Sequence, residues 1–285
     1  MTAREPTPGG MAVLDATRRE HRAARTAQRR FLLAARLGIV VVALVGWELA
    51  SGTLIRSFYV SSPSAIAETL VEWITSGELF YHGAFTVTAA FLGYVLGSVA
   101  AVLIAWPLAM LRTAYRIAEP YFLVAYSIPA VAMGPVFILW FGIGMTPKVL
   151  IAAYFVFFIV FINTVAGFQQ VPSGLLDVTR VMGASRRAQL RTVLLPSALP
   201  FVLAALRITL PAAMIGAVTG EFISSNRGLG YLTRAAAASY STAGVLAGVL
   251  CLSVIVLLMN LLLRPLGHAL RWRPDVDVGH GAEGR

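Results

Sequence analysis

The stretch VPSGLLDVTRVMGASRRAQLRTVLLPSALP, residues 171–200, is a long amphipathic and cationic interruption in an otherwise apolar C-terminal two-thirds. It reads as two short helices joined by a turn. Ser173 stands where a side-chain oxygen caps a helix. Leu175, Thr179 and Met182 follow at i, i+4 and i+7, which places them on one face. Gly183 supplies the left-handed residue that ends such a helix at little steric cost. Ser185 is the cap of the second helix. Leu190, Val193 and Leu194 form its apolar stripe, and Arg186, Arg187 and Arg191 stay polar. Pro196 is expected to stop that helix, because proline lacks an amide N–H and clashes with the preceding turn.

Working outward, the 285 residues are 58% hydrophobic and 13% charged. That is too apolar for an ordinary soluble domain. Several segments of roughly 20 residues carry almost no charge, the length that crosses a hydrocarbon core. The fold class is therefore all-α, a polytopic transmembrane helical protein with about six spans; a β-barrel would show short alternating segments instead. The net charge of +10 is almost wholly arginine, with Lys148 the sole lysine. The single cysteine, Cys251, lies in an apolar run and reads as a small core residue.

Residues 1–30 are an arginine-rich tail, too polar at the start to order by itself and followed by too long an apolar run to be a signal peptide. From Leu14 it has the pattern of a basic helix on anionic lipid. Residues 31–82 hold the first span, Phe31 to about Ala50, and an outer amphipathic helix that starts at Ser62-Pro63. Ile66, Leu70, Trp73 and Ile74 make one face of that helix, with Glu68 and Glu72 opposite. Further spans are expected over 83–111, 119–141, 149–168, 201–222 and 243–263. Arg112 and Arg116 mark a short loop and 223–242 a polar one. Gly93, Gly97 and Ala101 in the second span, and Ala212, Gly216 and Gly220 in the fifth, recur every fourth residue. Such stripes let helix backbones approach closely in lipid and offer packing surfaces to a second chain.

Positive charge sets the orientation. With the N-terminus inside, only Arg56, Lys148, Arg227 and Arg234 of the 23 basic residues fall outside. Both termini and the 171–200 stretch are then cytoplasmic.

No catalytic or metal-binding constellation stands out. The four histidines are scattered in tails and one loop, and no Cys/His spacing fits a metal. A phosphate-binding P-loop needs a Gly-Lys pair opening a helix, and Lys148 follows Pro147. The chain is thus not expected to be an enzyme. The candidate pore or gate residues are Pro129, Pro135, Pro211 and Glu221. Prolines inside a span free carbonyls and kink it, which is tolerated where the helix faces protein or a water cavity. Glu221 and Glu48 are acids near the outer ends of spans, where they serve the interface or, for Glu221 in particular, substrate or gating. Asn163, inside the fourth span, is expected to bond a neighbouring helix.

The 171–200 stretch resembles the permease subunits of bacterial ABC importers, whose signature is E-A-A, three residues, Gly, nine residues, then I-x-L-P. Asp177, Val178 and Thr179 stand at E-A-A, Gly183 at the glycine, Val193 at the isoleucine, and Leu195 and Pro196 at L-P. YVSSPSAI (59–66), SGELFYH (76–82), ILWFGIG (138–144), FINT (161–164), LPSALP (195–200) and EFISSNRGLGYL (221–232) are similar to the nitrate/sulfonate/taurine branch of that family. The resemblance implies a type I importer permease fold over 83–268, with residues 269–285 a cytoplasmic tail. It implies a coupling helix within 171–200 that seats on a separate ATP-binding subunit, through Asp177, Gly183, Ala184, Ser185, Leu195 and Pro196. Arg180, with Arg186 and Arg187, is a candidate to pair with acids there. The implied partners are that subunit, which binds ATP and Mg, a periplasmic or lipid-anchored solute-binding protein, a second permease chain and membrane lipid. No cofactor in this chain and no nucleic acid are implied.

A competing reading, an ion-gradient-driven secondary transporter, calls for paired acids or histidines at mid-membrane and an inverted repeat, and neither is plain. A membrane-embedded enzyme needs clustered polar residues. A DNA-reading helix–turn–helix is excluded by how tightly spans flank the basic element. The solute, and whether two identical permease chains pair, stay open.

Overall fold

The computed structural model describes residues 28, 31–54, 56 and 58–269. The two tails expected at the ends of the chain lie almost wholly outside them. The chain divides into two compact units, Met1–Ala67 and Glu68–Arg285.

The first unit holds α1 (Phe31–Ala50) and the start of α2 (Pro63–Thr75). The chain doubles back after α1, with Trp47 Nε1 donating to the Ser61 carbonyl at 2.8 Å and Ser51 Oγ to that of Val60 at 2.7 Å. Glu48 then completes the start of α2. Its carboxylate accepts from the Ser64 N–H at 3.0 Å and the Ser64 hydroxyl at 2.6 Å, and Ser62 Oγ takes the Ala65 N–H at 3.2 Å. Two of the free amides of a helix N-terminus are thereby answered. Ile66 and Trp73 are buried and Glu68 and Glu72 exposed, as the periodicity requires, but Ile74 is exposed.

In the second unit every helix of span length starts earlier than hydropathy suggests. The elements are α3 (Glu78–Met110), α4 (Arg112–Ser127), a 3-10 turn (Ala130–Ala132), α5 (Met133–Phe141) and α6 (Met145–Gln169). There follow α7 (Ser173–Val181), α8 (Arg186–Gln189), α9 (Leu195–Ile223), α10 (Leu229–Ala238) and α11 (Thr242–Ala269). Five described helices are long and apolar enough to cross a membrane, and the bent pair α4–α5 makes up to six.

The centre is α6, held between α3 and α9. A Cβ added at Gly93 would lie 2.4 Å from the Ala152 Cβ, and one at Gly97 2.5 Å from the Ala153 carbonyl oxygen. From the other side, a Cβ at Gly216 would lie 2.6 Å from the Ala152 Cα, and one at Gly220 3.1 Å from that of Lys148. The register shows α3 parallel to α6 and α9 antiparallel to it. The two small-residue stripes are therefore consumed inside the chain and are not surfaces held ready for a second copy. The reason is that lipid offers apolar side chains no gain on burial, so close backbone packing has to hold these helices together. Phe122 of α4 joins the same core, stacked on Phe161 with centroids 4.2 Å apart.

The third span departs most from its sequence pattern. Arg112 and Arg116 belong to α4 and not to a loop. The break falls at Ile128-Pro129, where residues 113–127 and 130–141 bend by 75°. Pro135 breaks nothing: it sits in the first turn of α5, where its missing N–H is not needed. Pro129 has no N–H to offer the Ala125 carbonyl, which takes the Ile128 N–H at 3.2 Å instead. The Tyr154 hydroxyl of α6 adds a second donor there, bonding Ala125 O at 2.5 Å and Ile128 O at 3.2 Å. Asn163, by contrast, bonds its own helix at the Ile159 carbonyl, 2.8 Å away, and not a neighbour. The polar loop expected over 223–242 contains α10, whose buried Leu229, Leu232, Thr233 and Ala236 keep helical spacing.

Candidate functional site

α7 begins at Ser173 with Pro172 in the cap position, one residue earlier than the serine-cap reading. Its end is as the glycine requires. Gly183 has φ +77°, its N–H donates to the Arg180 carbonyl at 2.9 Å, and the Ala184 N–H donates to that of Thr179 at 3.0 Å. These two crossed bonds are the left-handed C-cap that satisfies the last carbonyls of a helix. Two residues on, Ser185 Oγ accepts the Ala188 N–H at 3.2 Å and starts α8. Ala184 is half-buried and Ser185 exposed, at the tip of the turn. Asp177 and Arg180 pair with each other at 3.0 Å, one turn apart and both exposed. A pair so open to water contributes about 0–1 kcal/mol.

The face that α7 turns inward is not the expected Leu175–Thr179–Met182 stripe. Leu176 packs on a small core of Phe168, Val171, Val193, Leu194 and Ala198, and Gln189 Nε2 bonds its carbonyl at 3.4 Å. Leu175, Val178, Val181 and Met182 face out, the last two 90% and 78% exposed. A helix of nine residues rests on the ends of α6 and α9 along one narrow strip, so most of its apolar surface has no cover from the other described residues.

Pro196 does not stop the second helix. The run Arg187–Ile223 is helical over 37 residues. Leu190–Leu194 widens into a π turn just before Leu195 and Pro196 open α9. A widened turn at this point relieves the clash a proline ring makes with the preceding carbonyls. Leu195 is half-buried and Pro196 exposed.

Of the pore or gate candidates, Pro129 and Pro135 are exposed and Pro211 is half-buried inside α9. Five residues before Pro211, the Leu206 carbonyl accepts the Tyr94 hydroxyl of α3 at 2.9 Å. Glu221 is fully buried and lies at the opposite end of α9 from the Gly183 turn. Its Oε1 accepts the Thr86 hydroxyl at 2.8 Å and its Oε2 the Gly230 N–H at 2.7 Å. Thr86 Oγ accepts the Leu229 N–H at 2.8 Å, and His82 Nδ1 the Gly228 N–H at 3.0 Å. Lys148 is buried beside them, its Nζ donating to the Ser224 carbonyl. Sequence reasoning placed His82 in a loop, where the structure has it in α3. It passed over Thr86 and weighed Lys148 only for a phosphate loop and for topology. Their signal was present: His82 and Thr86 are four residues apart on one helix face, and the sole lysine opens an apolar run.

Comparison with known proteins gives the family. The riboflavin transport system permease protein RibX of Chloroflexus aurantiacus is 34% identical over 236 residues, covering 82% of this chain and 88% of that protein. The taurine transport system permease protein TauC of Escherichia coli K12 is 29% identical over 245 residues, 84% of this chain and 89% of that one. The MetNI methionine ABC transporter, in an inward facing conformation, shares the fold. Its TM-score is 0.55 over 70% of this chain and 96% of the other, at 22% identity. The family described as binding-protein-dependent transport system inner membrane component matches residues 93–272, from the α3 glycine stripe through the Gly183 turn to α11. This chain belongs to that family of inner-membrane transport permeases.

Proposed function

We propose that this permease carries a small organic solute, a sulfonate such as taurine or a similar compound, inward across the bacterial inner membrane, driven by a separate ATP-binding subunit. The observation that carries the reading is the outward face of α7: Leu175, Val178, Val181 and Met182 lie uncovered beside a turn locked by Gly183 and Ser185. An apolar face of this kind is suited to a hydrophobic groove, the helix-in-groove mode of recognition. Arg187 and Arg191, both exposed, stand close by to meet acids on the same partner. ATP and Mg belong to that partner. The one lysine here is buried against Ser224 and cannot serve a phosphate loop.

Both termini are cytoplasmic in this reading, a solute-binding protein delivers the ligand outside, and a second permease chain, identical in the simplest case, completes the path. Likeness to RibX and TauC supports the transport class. The broken α4–α5 span, with Pro129 exposed, is the favoured lining of the path, since irregular backbone at membrane depth needs water or protein beside it.

The test is reconstitution in proteoliposomes with and without the ATPase and binding protein, following radiolabelled taurine. Uptake that requires all three proteins and internal ATP is expected. Uptake by the permease alone under a proton or sodium gradient would overturn the reading.

A further inference from the structure

The outer end of α9 holds a polar cluster that docking at the inner end does not use. Backbone accounting explains its composition. A helix leaves its first amide N–H groups without intrahelical partners. α10 starts after Gly228, whose φ is +104°. The amides of Gly228, Leu229 and Gly230 are answered by three different side chains: His82 and Thr86 from α3, and Glu221 from the last turn of α9. Across the same short turn, the carbonyl of Ser224, which ends α9, is answered by Lys148 from α6. A carboxylate at the start of α10 and an ammonium at the end of α9 match the partial charges of the two helix termini. Space around the carboxylate is closed. A Cβ on Gly228 would lie 2.2 Å from Glu221 Oε1, and one on Gly230 2.8 Å from Oε2.

We propose that Glu221 is a positioning residue: with Thr86, His82 and Lys148 it clamps α10 onto α3, α6 and α9, so that these four helices travel through the transport cycle as one body and opening is left to the bent α4–α5 span. The transport half of this proposal rests on the importer reading. The clamp itself does not.

Reach and charge can be separated at position 221. E221D keeps the charge but withdraws it by one methylene, too short to hold both Thr86 and Gly230. E221Q keeps the length. Its oxygen can still take the Gly230 N–H while its amide donates to Thr86 Oγ, whose hydrogen then turns to the His82 carbonyl, already 3.2 Å away. The measurement is hydrogen exchange of the full chain in lipid nanodiscs, read on peptides spanning residues 224–232. Slow exchange is expected in the native chain and in E221Q, and exchange faster by roughly tenfold or more in E221D. Protection kept in E221D and lost in E221Q would show that charge and not reach is required, and would overturn the clamp. The same peptides are then followed in the assembled transporter, nucleotide-free and with ATP trapped. Exchange unchanged within about twofold between states is expected. Marked deprotection in either state would mean that the turn opens, and would overturn the single-body proposal. Should the exchange ranking hold while no ATP-driven uptake is found, the importer reading fails and the clamp stands.

Discussion

Replacing Gly183 with valine isolates the turn from everything around it. The residue has φ +77°, and a Cβ built there meets nothing within 4 Å, so no steric clash adds to the cost. What remains is the backbone term: an ordinary residue in the left-handed region costs roughly 1–2 kcal/mol, with β-branched side chains at the upper end. That strain falls on the two bonds, 2.9 and 3.0 Å long, by which Gly183 and Ala184 close α7. The helical core does not depend on them, so G183V should insert and extract like the native chain. With about 2 kcal/mol set against the docked geometry, the affinity for the ATP-binding subunit should fall by roughly thirtyfold. Titrating labelled ATPase onto permease in nanodiscs and reading anisotropy measures this directly. G183N should lie close to the native value, because asparagine tolerates the left-handed region. Native affinity in G183V, or an equal loss in G183N, would refute the argument that the turn's conformation carries the docking.

Y154F removes the hydroxyl that serves the Ala125 and Ile128 carbonyls at the Pro129 break. The melting midpoint in detergent should drop, by an amount corresponding to about 1–3 kcal/mol; an unchanged midpoint would show that water or lipid can take over. G216V drives a branched side chain into the Ala152 backbone, 2.6 Å from its Cβ position, and should yield aggregated protein on gel filtration after extraction. G46V, in α1 where a Cβ meets nothing within 4 Å, should elute as the native chain does.

Local features were the ones legible from sequence. The start of α2 at Ser62-Pro63, the left-handed Gly183 and the Ser185 cap each depend on a few adjacent residues. The glycine stripes were equally plain, but a stripe says that something comes close without saying what, and α6 turned out to occupy both. Features that depend on a partner far along the chain were hidden. Pro129 and Pro135 look alike in sequence; one breaks a span and the other begins a helix, because a helix had just ended at Ser127. Pro196 carries the usual mark of a stop, and only the widening of residues 190–194 lets the helix continue. The rotation of α7 depends on where Phe168 and Val193 lie, so period alone could not choose between Leu175 and Leu176. The Glu221 cluster joins residues as much as 146 positions apart, and its local traces were the His82–Thr86 spacing, the sole lysine and a glycine-rich loop behind an acid.

The continuity of residues 187–223 has a mechanical consequence. At 1.5 Å per residue this run is a shaft about 55 Å long, longer than the ~30 Å hydrocarbon slab it crosses. No loop separates its foot, beside Ser185, from its far tip at Glu221. A tilt of about ten degrees at the foot would sweep the tip sideways by roughly 10 Å if the shaft were stiff. Pro196, Pro200 and Pro211 each omit one rung of its hydrogen-bond ladder, so the shaft flexes at chosen heights. Motion entering at one membrane face is thereby graded along the rod, large near the foot and damped toward the tip, without any segment having to unfold.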